Sequence, residues 1–175
     1  MRYEIRIAGE GGQGVILAAV ILAEAAGVYG DWEVAQTQSY GAEVRGGYSK
    51  AEVVISDSKI DYHKAIRPDI FVALNQASCN TYYRDLKAVD GIFVVDSSIV
   101  ERVPTNKAIK VPFTEIARKE FKPFMANMIV LGVIVRMCDH IEYDHAESAI
   151  IGRVPKGTEY MNIEAFNHGY EEIKI

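Results

Sequence analysis

The sequence predicts an α/β protein, a three-layer α/β/α domain with a mixed, mostly parallel sheet and glycine-rich loops at its strand ends. Three observations carry that expectation. Short apolar strand patterns alternate with helical ones through the first two thirds of the chain, the arrangement that clothes a sheet in helices. The stretch Gly9-Glu10-Gly11-Gly12-Gln13-Gly14 joins the first strand to the first helix. A second stretch, Ser39-Tyr40-Gly41-Ala42-Glu43-Val44-Arg45-Gly46-Gly47, joins two later strands and leaves no room for a crossover helix. That pair therefore runs antiparallel, and the sheet is mixed.

Residues 3–8 alternate and read as a half-buried first strand running into the glycine loop. From 14 to 28 the chain is rich in alanine and leucine, the pattern of a helix packed closely on a sheet and ended by Gly27 and Gly30. Strands follow at 32–38 and 48–56, then at 69–74 after Pro68, with a helix over 76–87. The run 91–96 is a buried strand ending in the carboxylate of Asp96, and 108–111 is another, closed by Pro112. Helices are expected at 113–121, 124–138, 143–151 and 162–172.

The run 124–138 is apolar on every face except at Asn127 and Arg136. It is shorter than the roughly 20 residues a membrane span needs. A helix of this kind is either the central core helix or a core helix with one face in a subunit interface. Met125, Met128 and Met137 fit both readings.

The bulk properties bound the rest. The 175 residues fit one domain, 1–175, with 49% apolar and 25% charged residues, ordinary for a soluble globular protein. A net charge of −5 argues against nucleic acid as a partner, and no basic run points to a membrane surface. The N-terminus reads as a strand rather than a signal peptide, so the expected compartment is the cytoplasm. There are two cysteines, Cys79 and Cys138, whereas an iron–sulfur cluster takes about four thiolates.

Gly9, Gly11 and Gly14 satisfy the G-x-G-x-x-G spacing of a dinucleotide fold. The acid that should end the second strand is missing: that strand ends Gln36-Thr37-Gln38-Ser39, while Asp31 and Glu33 stand at its beginning. The helix starting near Gln13 can receive an anion at its free N–H groups, although glycine here also serves close strand-to-helix packing. Glu43 and Arg45 are either a solvated loop pair or, given Tyr40 and the flanking glycines, a site where the guanidinium meets a carboxylate or phosphate. Cys138-Asp139-His140 with Asp144-His145 invites a metal reading, but such a cluster is more often a solvated helix–helix turn. His63 and His168 read as surface residues. No nucleophile elbow, P-loop, H-E-x-x-H or thiamine-diphosphate signature is present.

Taken together, the two glycine loops resemble those of the gamma subunits of 2-oxoacid:ferredoxin oxidoreductases. Tyr40-Gly41-Ala42-Glu43-Val44-Arg45-Gly46-Gly47 is similar to that family's second hallmark in its 2-oxoglutarate-type branch. Asn127-Met128 with Leu131-Gly132, and Asn162 with Ala165-Phe166 and Gly169-Tyr170, resemble its buried helix and C-terminal element. The resemblance implies an accessory chain of an enzyme that oxidatively decarboxylates a 2-oxoacid with coenzyme A to acyl-CoA and CO2, reducing ferredoxin. It implies alpha and beta partner subunits, with or without a ferredoxin-like delta subunit. These would carry thiamine diphosphate, Mg2+ and iron–sulfur clusters, while this chain carries no catalytic residue and no metal. Gly11, Gly12, Gln13, Gly14, Tyr40, Gly41, Glu43, Arg45, Gly46 and Gly47 are then the candidate binding residues, facing coenzyme A or a neighbouring subunit. The competing expectations are a stand-alone Rossmann-like oxidoreductase that binds a nucleotide and a non-catalytic binding module unrelated to oxoacids.

Overall fold

The first strand, β1 (Arg2–Glu10), lies at the centre of a six-stranded sheet, and alternation along it separates two environments. Ile5 and Ile7 enter a large apolar cluster on one face, while Glu4, Arg6 and Ala8 turn to the other. The computed structural model describes residues 1–41 and 48–174. Strands β2 (Glu33–Tyr40), β3 (Tyr48–Ser56), β4 (Ile70–Ala73), β5 (Ile92–Asp96) and β6 (Ile109–Val111) complete the sheet in the order β2-β3-β1-β4-β5-β6. β3 pairs antiparallel with both β1 and β2, and the other three pairings are parallel.

The helices are α1 (Val15–Glu24), α2 (Gln76–Tyr82), α3 (Phe113–Glu120), α4 (Ala126–Met137), α5 (Tyr143–Arg153) and α6 (Glu159–Asn167). The layers on the two sides of the sheet are unequal. Buried residues of α1, α3, α4, α5 and α6 join the cluster containing Ile5 and Ile7, whereas only α2 packs on the opposite face, over Phe71, Phe93 and Val95. Part of that second face is covered by the segment 57–69, held down by buried charge. Glu4 accepts from the N–H groups of Ile66 and Arg67 at 2.7 and 2.8 Å, and Glu52 accepts from the Ala65 N–H. Arg6 donates to the Ala65 carbonyl at 2.9 Å and to Glu52 at 2.8 Å, with Asp85 as its third partner. Side-chain charges thus satisfy the backbone of a segment that has no regular structure of its own.

Helix α4 settles the choice left open for 124–138. Asn127 through Val135 are all buried within this one chain, so the run is a core helix. The residues that resembled the family's buried helix and C-terminal element meet one another. A Cβ on Gly132 would lie 2.1 Å from the Phe166 carbonyl oxygen, and one on Gly169 would lie 2.0 Å from that of Ile129. The two polar exceptions both serve the backbone. Asn127 Nδ2 reaches the Gly14 carbonyl at 3.4 Å, and Arg136 donates to the carbonyls of Tyr170 and Ile173 at 3.1 and 2.9 Å.

Several expected boundaries shift. β1 runs on through Gly9 and Glu10, because Gly9 pairs with Ser49 and Glu10 with Tyr48. The helix expected over 14–28 stops at Glu24 and continues as a π turn, Ala25–Tyr29; Gly27 lies within that turn and Gly30 ends it. The helix expected to Lys87 ends at Tyr82, followed by a 3-10 turn, Tyr83–Asp85. The run at 124–125 is likewise a 3-10 turn, Pro123–Met125, before α4 begins. The last helix starts at Glu159 and passes into a π turn, His168–Glu172. His168 is not the surface residue expected: its ring packs edge-on to Phe121 and pairs with Glu120 at 3.4 Å. Among the described residues, no helix is long and apolar enough to cross a membrane.

Candidate functional site at the carboxyl edge of the sheet

Strand register brings the ends of β1 and β2, from which the two glycine-rich stretches lead off, to one edge of the sheet. β1, β2, β4, β5 and β6 all end at the same edge of the sheet, where β3 begins, with Glu10 opposite Tyr48 and Tyr40 opposite Ser49. The turn after β1 and the turn after β2 therefore leave from one edge, separated by the width of β3. Ligands of open α/β sheets bind in crevices at this edge, beside the strand where the chain reverses its direction of travel across the sheet. Here that strand is β1: the chain goes from it to the β2–β3 side and later resumes on the other side with β4.

The first turn is tightly braced. Gln13 folds back over Gly9, its Oε1 accepting from the Glu10 N–H at 2.6 Å and its Nε2 donating to the Leu74 carbonyl at 3.1 Å. A Cβ on Gly9 would lie 2.2 Å from that Oε1. Gly12 and Gly14 both have left-handed backbone, with φ of 88° and 73°. A Cβ on Gly14 would meet Asn127 Nδ2 at 2.4 Å, whereas one on Gly12 would meet nothing within 4 Å. Gly14 and Gly9 are glycine for packing, and Gly12 presents bare backbone outward. α1 follows with no side-chain cap, so its first-turn N–H groups face this edge.

At the second turn the Gly41 N–H donates to the Tyr48 carbonyl at 2.9 Å, and Tyr40 is 66% exposed. Ala42, Glu43, Val44, Arg45, Gly46 and Gly47 lie outside the described residues. Hydrogen bonds from Tyr82 and Ser39 hold the Tyr48 phenol below its ordinary range, while burial and the bond to Tyr48 push Tyr82 up. Arg6 and Lys50 both lie 5.2 Å from the centre of the Tyr82 ring, tying this corner to the charges under the 57–69 segment.

Between the first turn and α3 lies a crevice of about 200 Å³, lined by Gly12, Gln13, Leu74, Thr114, Arg118 and Phe124, among others. Asp96 stands at its floor, 1% exposed. This carboxylate accepts from the Ser98 N–H at 3.0 Å and from the Thr114 N–H and hydroxyl at 3.2 and 2.6 Å. Its lone pairs are committed to joining β5 to α3. Arg118 is exposed at the rim, and Phe124, 67% exposed, forms an apolar wall. Arg118, Phe124 and Leu74 were not legible as site residues. Each comes from an element distant in sequence and carries no local signal beyond its place at the end of a strand or the start of a helix.

Other sequence candidates resolve as packing. Cys79 is buried on the inner side of α2 and Cys138 at the end of α4, on opposite faces of the sheet, so the two thiols cannot share a ligand. Burial pushes the Cys138 thiol up to about 11. His140 packs edge-on between Tyr3 and Trp32, with ring centres 4.8 and 5.2 Å away. Among the described residues, no group of three or more His, Cys, Asp or Glu could hold a metal ion. β2 itself ends Gln38-Ser39-Tyr40 without a carboxylate, so the edge lacks the ribose-binding acid of a Rossmann site.

The family model for pyruvate ferredoxin/flavodoxin oxidoreductase matches residues 4–172. The chain belongs to this family. The 2-oxoglutarate synthase subunit KorC of Methanocaldococcus jannaschii is 48% identical over 179 residues, covering 99% of this chain and 95% of that one. The ketoisovalerate oxidoreductase subunit VorA of Methanothermobacter thermautotrophicus is 39% identical over 137 residues, which is 76% of this chain but 28% of that one. Among solved structures, the gamma subunit of a keto/oxoacid ferredoxin oxidoreductase from Geobacter sulfurreducens matches with a TM-score of 0.85 and 39% identity, covering 97% of each chain. The family match, over residues 4–172, includes the first glycine turn, the residues lining the crevice and helices α4 to α6.

Proposed function

We propose that this chain is the gamma subunit of a multi-subunit 2-oxoacid:ferredoxin oxidoreductase of the 2-oxoglutarate synthase type. The complete enzyme oxidatively decarboxylates 2-oxoglutarate with coenzyme A to an acyl-CoA and CO2, passing the electrons to ferredoxin. Thiamine diphosphate, Mg2+ and the iron–sulfur clusters reside in companion alpha, beta and ferredoxin-like delta subunits, and the assembly is cytoplasmic. The likeness to the KorC relative across nearly the full length of both chains carries this reading.

The contribution of this chain is recognition at the carboxyl edge. Gly11, Gly12 and Gly14 offer backbone N–H groups at the start of α1, where a phosphate of coenzyme A is well received, while Gln13 holds the turn in shape through its N–H to the Glu10 carbonyl and its side chain. Tyr40 and Gly41 stand at the same edge, and Glu43, Arg45, Gly46 and Gly47 are assigned to the same surface from the sequence. Arg118 supplies a cation and Phe124 an apolar wall to whatever enters the crevice.

The test is co-expression with the alpha, beta and delta chains and measurement of coenzyme A-dependent ferredoxin reduction with 2-oxoglutarate, pyruvate and 2-oxoisovalerate. A complex that prefers 2-oxoglutarate is expected. A chain that purifies alone beside an active complex, or a complex that prefers pyruvate, overturns the assignment. Arg45→Ala in the same complex separates the roles of the second loop: docking predicts dissociation, and a thioester-forming role predicts a raised KM for coenzyme A in an intact complex. The loss of a charge-assisted hydrogen bond costs about 1.5–3 kcal/mol. A loop substitution with no such role changes stability by less than about 0.5 kcal/mol.

A further inference from the structure

Two features outside the candidate site lie side by side and lack a partner among the described residues. The first is β2. Its eight residues pair with β3 in an unbroken register, and not one of them is buried, whereas β3 is buried over most of its length. Exposed sheet edges are normally blunted by shortness, proline, lysine or a bulge. The opposite edge, β6, is only three residues long. β2 has none of these devices, so its outer margin presents backbone N–H and C=O groups that no strand among the described residues pairs.

The second feature is the outer side of α1. Its ten residues, VILAAVILAE, contain one polar residue, and a helix apolar all round is covered all round in its working state. Here only Val15, Ala18, Ala19, Ile21 and Leu22 are buried, while Leu17 is 37% exposed and Val28, in the π turn that follows, is 73% exposed. Between this side of α1 and β2 runs an open groove of about 390 Å³, lined by Val20, Ala23, Val28, Trp32, Val34 and Gln36. At its β2 end stand Asp31 and Glu33, both exposed and without an ion pair among the described residues, whereas Glu24 is neutralised by Arg153 at 2.8 Å.

The geometry points to β2 and the α1 groove as the seat of an extended segment from a companion subunit. That segment extends the sheet by a seventh strand, puts apolar side chains at alternate positions into the groove, and brings a lysine or arginine to Asp31 and Glu33. The backbone of β2 dictates a strand, the groove dictates apolar residues on every second position, and the two unpaired acids dictate a basic one. A second copy of this chain fits poorly. Its β2 offers Gln36 and Gln38 on the groove-facing side, where apolar side chains are required, and it brings another net charge of −5. This inference rests on the reading that the chain works inside a multi-subunit enzyme.

Amide hydrogen exchange on the isolated chain and on the purified complex tests it, together with Val28→Glu and Glu33→Arg. Both altered residues are exposed, so each variant should fold with the melting temperature of the unaltered chain. Alternate amides of Glu33–Tyr40 should exchange about tenfold or more slowly in the complex than in the isolated chain. Val28→Glu should weaken association roughly tenfold to a hundredfold. Glu33→Arg should slow association and reduce its salt dependence. An intact, active complex whose β2 amides are no better protected than in the isolated chain overturns this inference and leaves the family assignment standing. Protection that appears in the isolated chain with rising concentration, alongside a doubled mass, also overturns it, by making the occupant a second copy. Failure of the unaltered chain to bind any companion subunit overturns both readings together.

Discussion

Gly12 and Gly14 share a left-handed backbone, yet their surroundings separate function from packing. An alanine at either position bears the cost of that conformation, about 1–2 kcal/mol. Gly14→Ala also drives a methyl to 2.4 Å from Asn127 Nδ2, whereas Gly12→Ala enters open space. Urea unfolding should therefore show Gly14→Ala as the more damaging of the two to the isolated chain. Gly12→Ala should lose about 1–2 kcal/mol of stability but, under the proposed role of the first turn, impair the assembled enzyme further, because the added methyl would stand where bare backbone is proposed to meet the ligand. Equal effects on fold and turnover from both variants would make Gly12 structural as well. Cys138 gives a pH-dependent prediction. Its thiol is raised from 9.0 to about 11 by burial, so the folded chain holds the proton that the unfolded chain releases. The stability this provides is complete below about pH 9 and is lost as pH rises toward 11, a fall of up to roughly 2–3 kcal/mol. Unfolding free energies measured from pH 8 to 11 should show that decline, and Cys138→Ala should flatten its share of it.

Two elements are held in place by opposite means. The segment 57–69 is fixed by charge: Arg6 and Glu52, 5% and 3% exposed at their side chains, lie beneath it and hydrogen-bond its backbone. Glu52→Ala removes one of the two carboxylates that hold the buried Arg6 guanidinium and leaves Asp85, so it should destabilise the chain by less than the roughly 3–5 kcal/mol of a buried charge left unpaired. It should also speed proteolysis within 57–69 more than elsewhere. Uniform loss of protection along the chain would show instead that the ion pair supports the sheet as a whole. α4 is fixed by contact between backbones. Gly132→Ala places a methyl 2.1 Å from the carbonyl oxygen of Phe166, where no side chain can rotate out of the way. Separating α4 from α6 opens the centre of the core, so this variant should be destabilised by more than about 2 kcal/mol, as overpacked cores are, and should lose soluble yield. Gly157→Ala, left-handed at φ 89° with nothing near its Cβ, serves as a control for the backbone strain that Gly12→Ala and Gly14→Ala share.

At the scale of the molecule, the helices sit mainly on one side of the sheet, the recognition features gather at its carboxyl edge, and the strand margin at β2 is left open. Such a chain works as one piece of a larger enzyme. The isolated protein should show no 2-oxoacid-dependent reduction of ferredoxin or a dye at any concentration, and activity should appear only when companion subunits are added. Turnover by the purified chain alone would contradict that division of labour.

The sequence by itself determined the fold class, the antiparallel β2–β3 pair, the position of most elements and the family. The first three follow from local facts: the period of apolar residues, the glycines, and the short connection that leaves no room for a crossover helix; the family came from the resemblance of the two glycine loops and the later motifs to those of known gamma subunits. It also marked both glycine loops as the candidate site, and placing them at one edge required only strand direction. Tertiary structure alone decided what each residue there does. Gln13 turned out to brace Gly9 and Leu74, Asp96 to join β5 to α3, and His140 to pack between Tyr3 and Trp32, because in each case the partner comes from a remote part of the chain. The same holds for the two apolar helices. Composition marks both α1 and α4 as helices that need cover on every side, and only packing shows that the chain buries α4 from Asn127 to Val135 while leaving one side of α1 uncovered. Periodicity records which residues avoid water, and the assembled sheet determines which of them this chain can cover unaided.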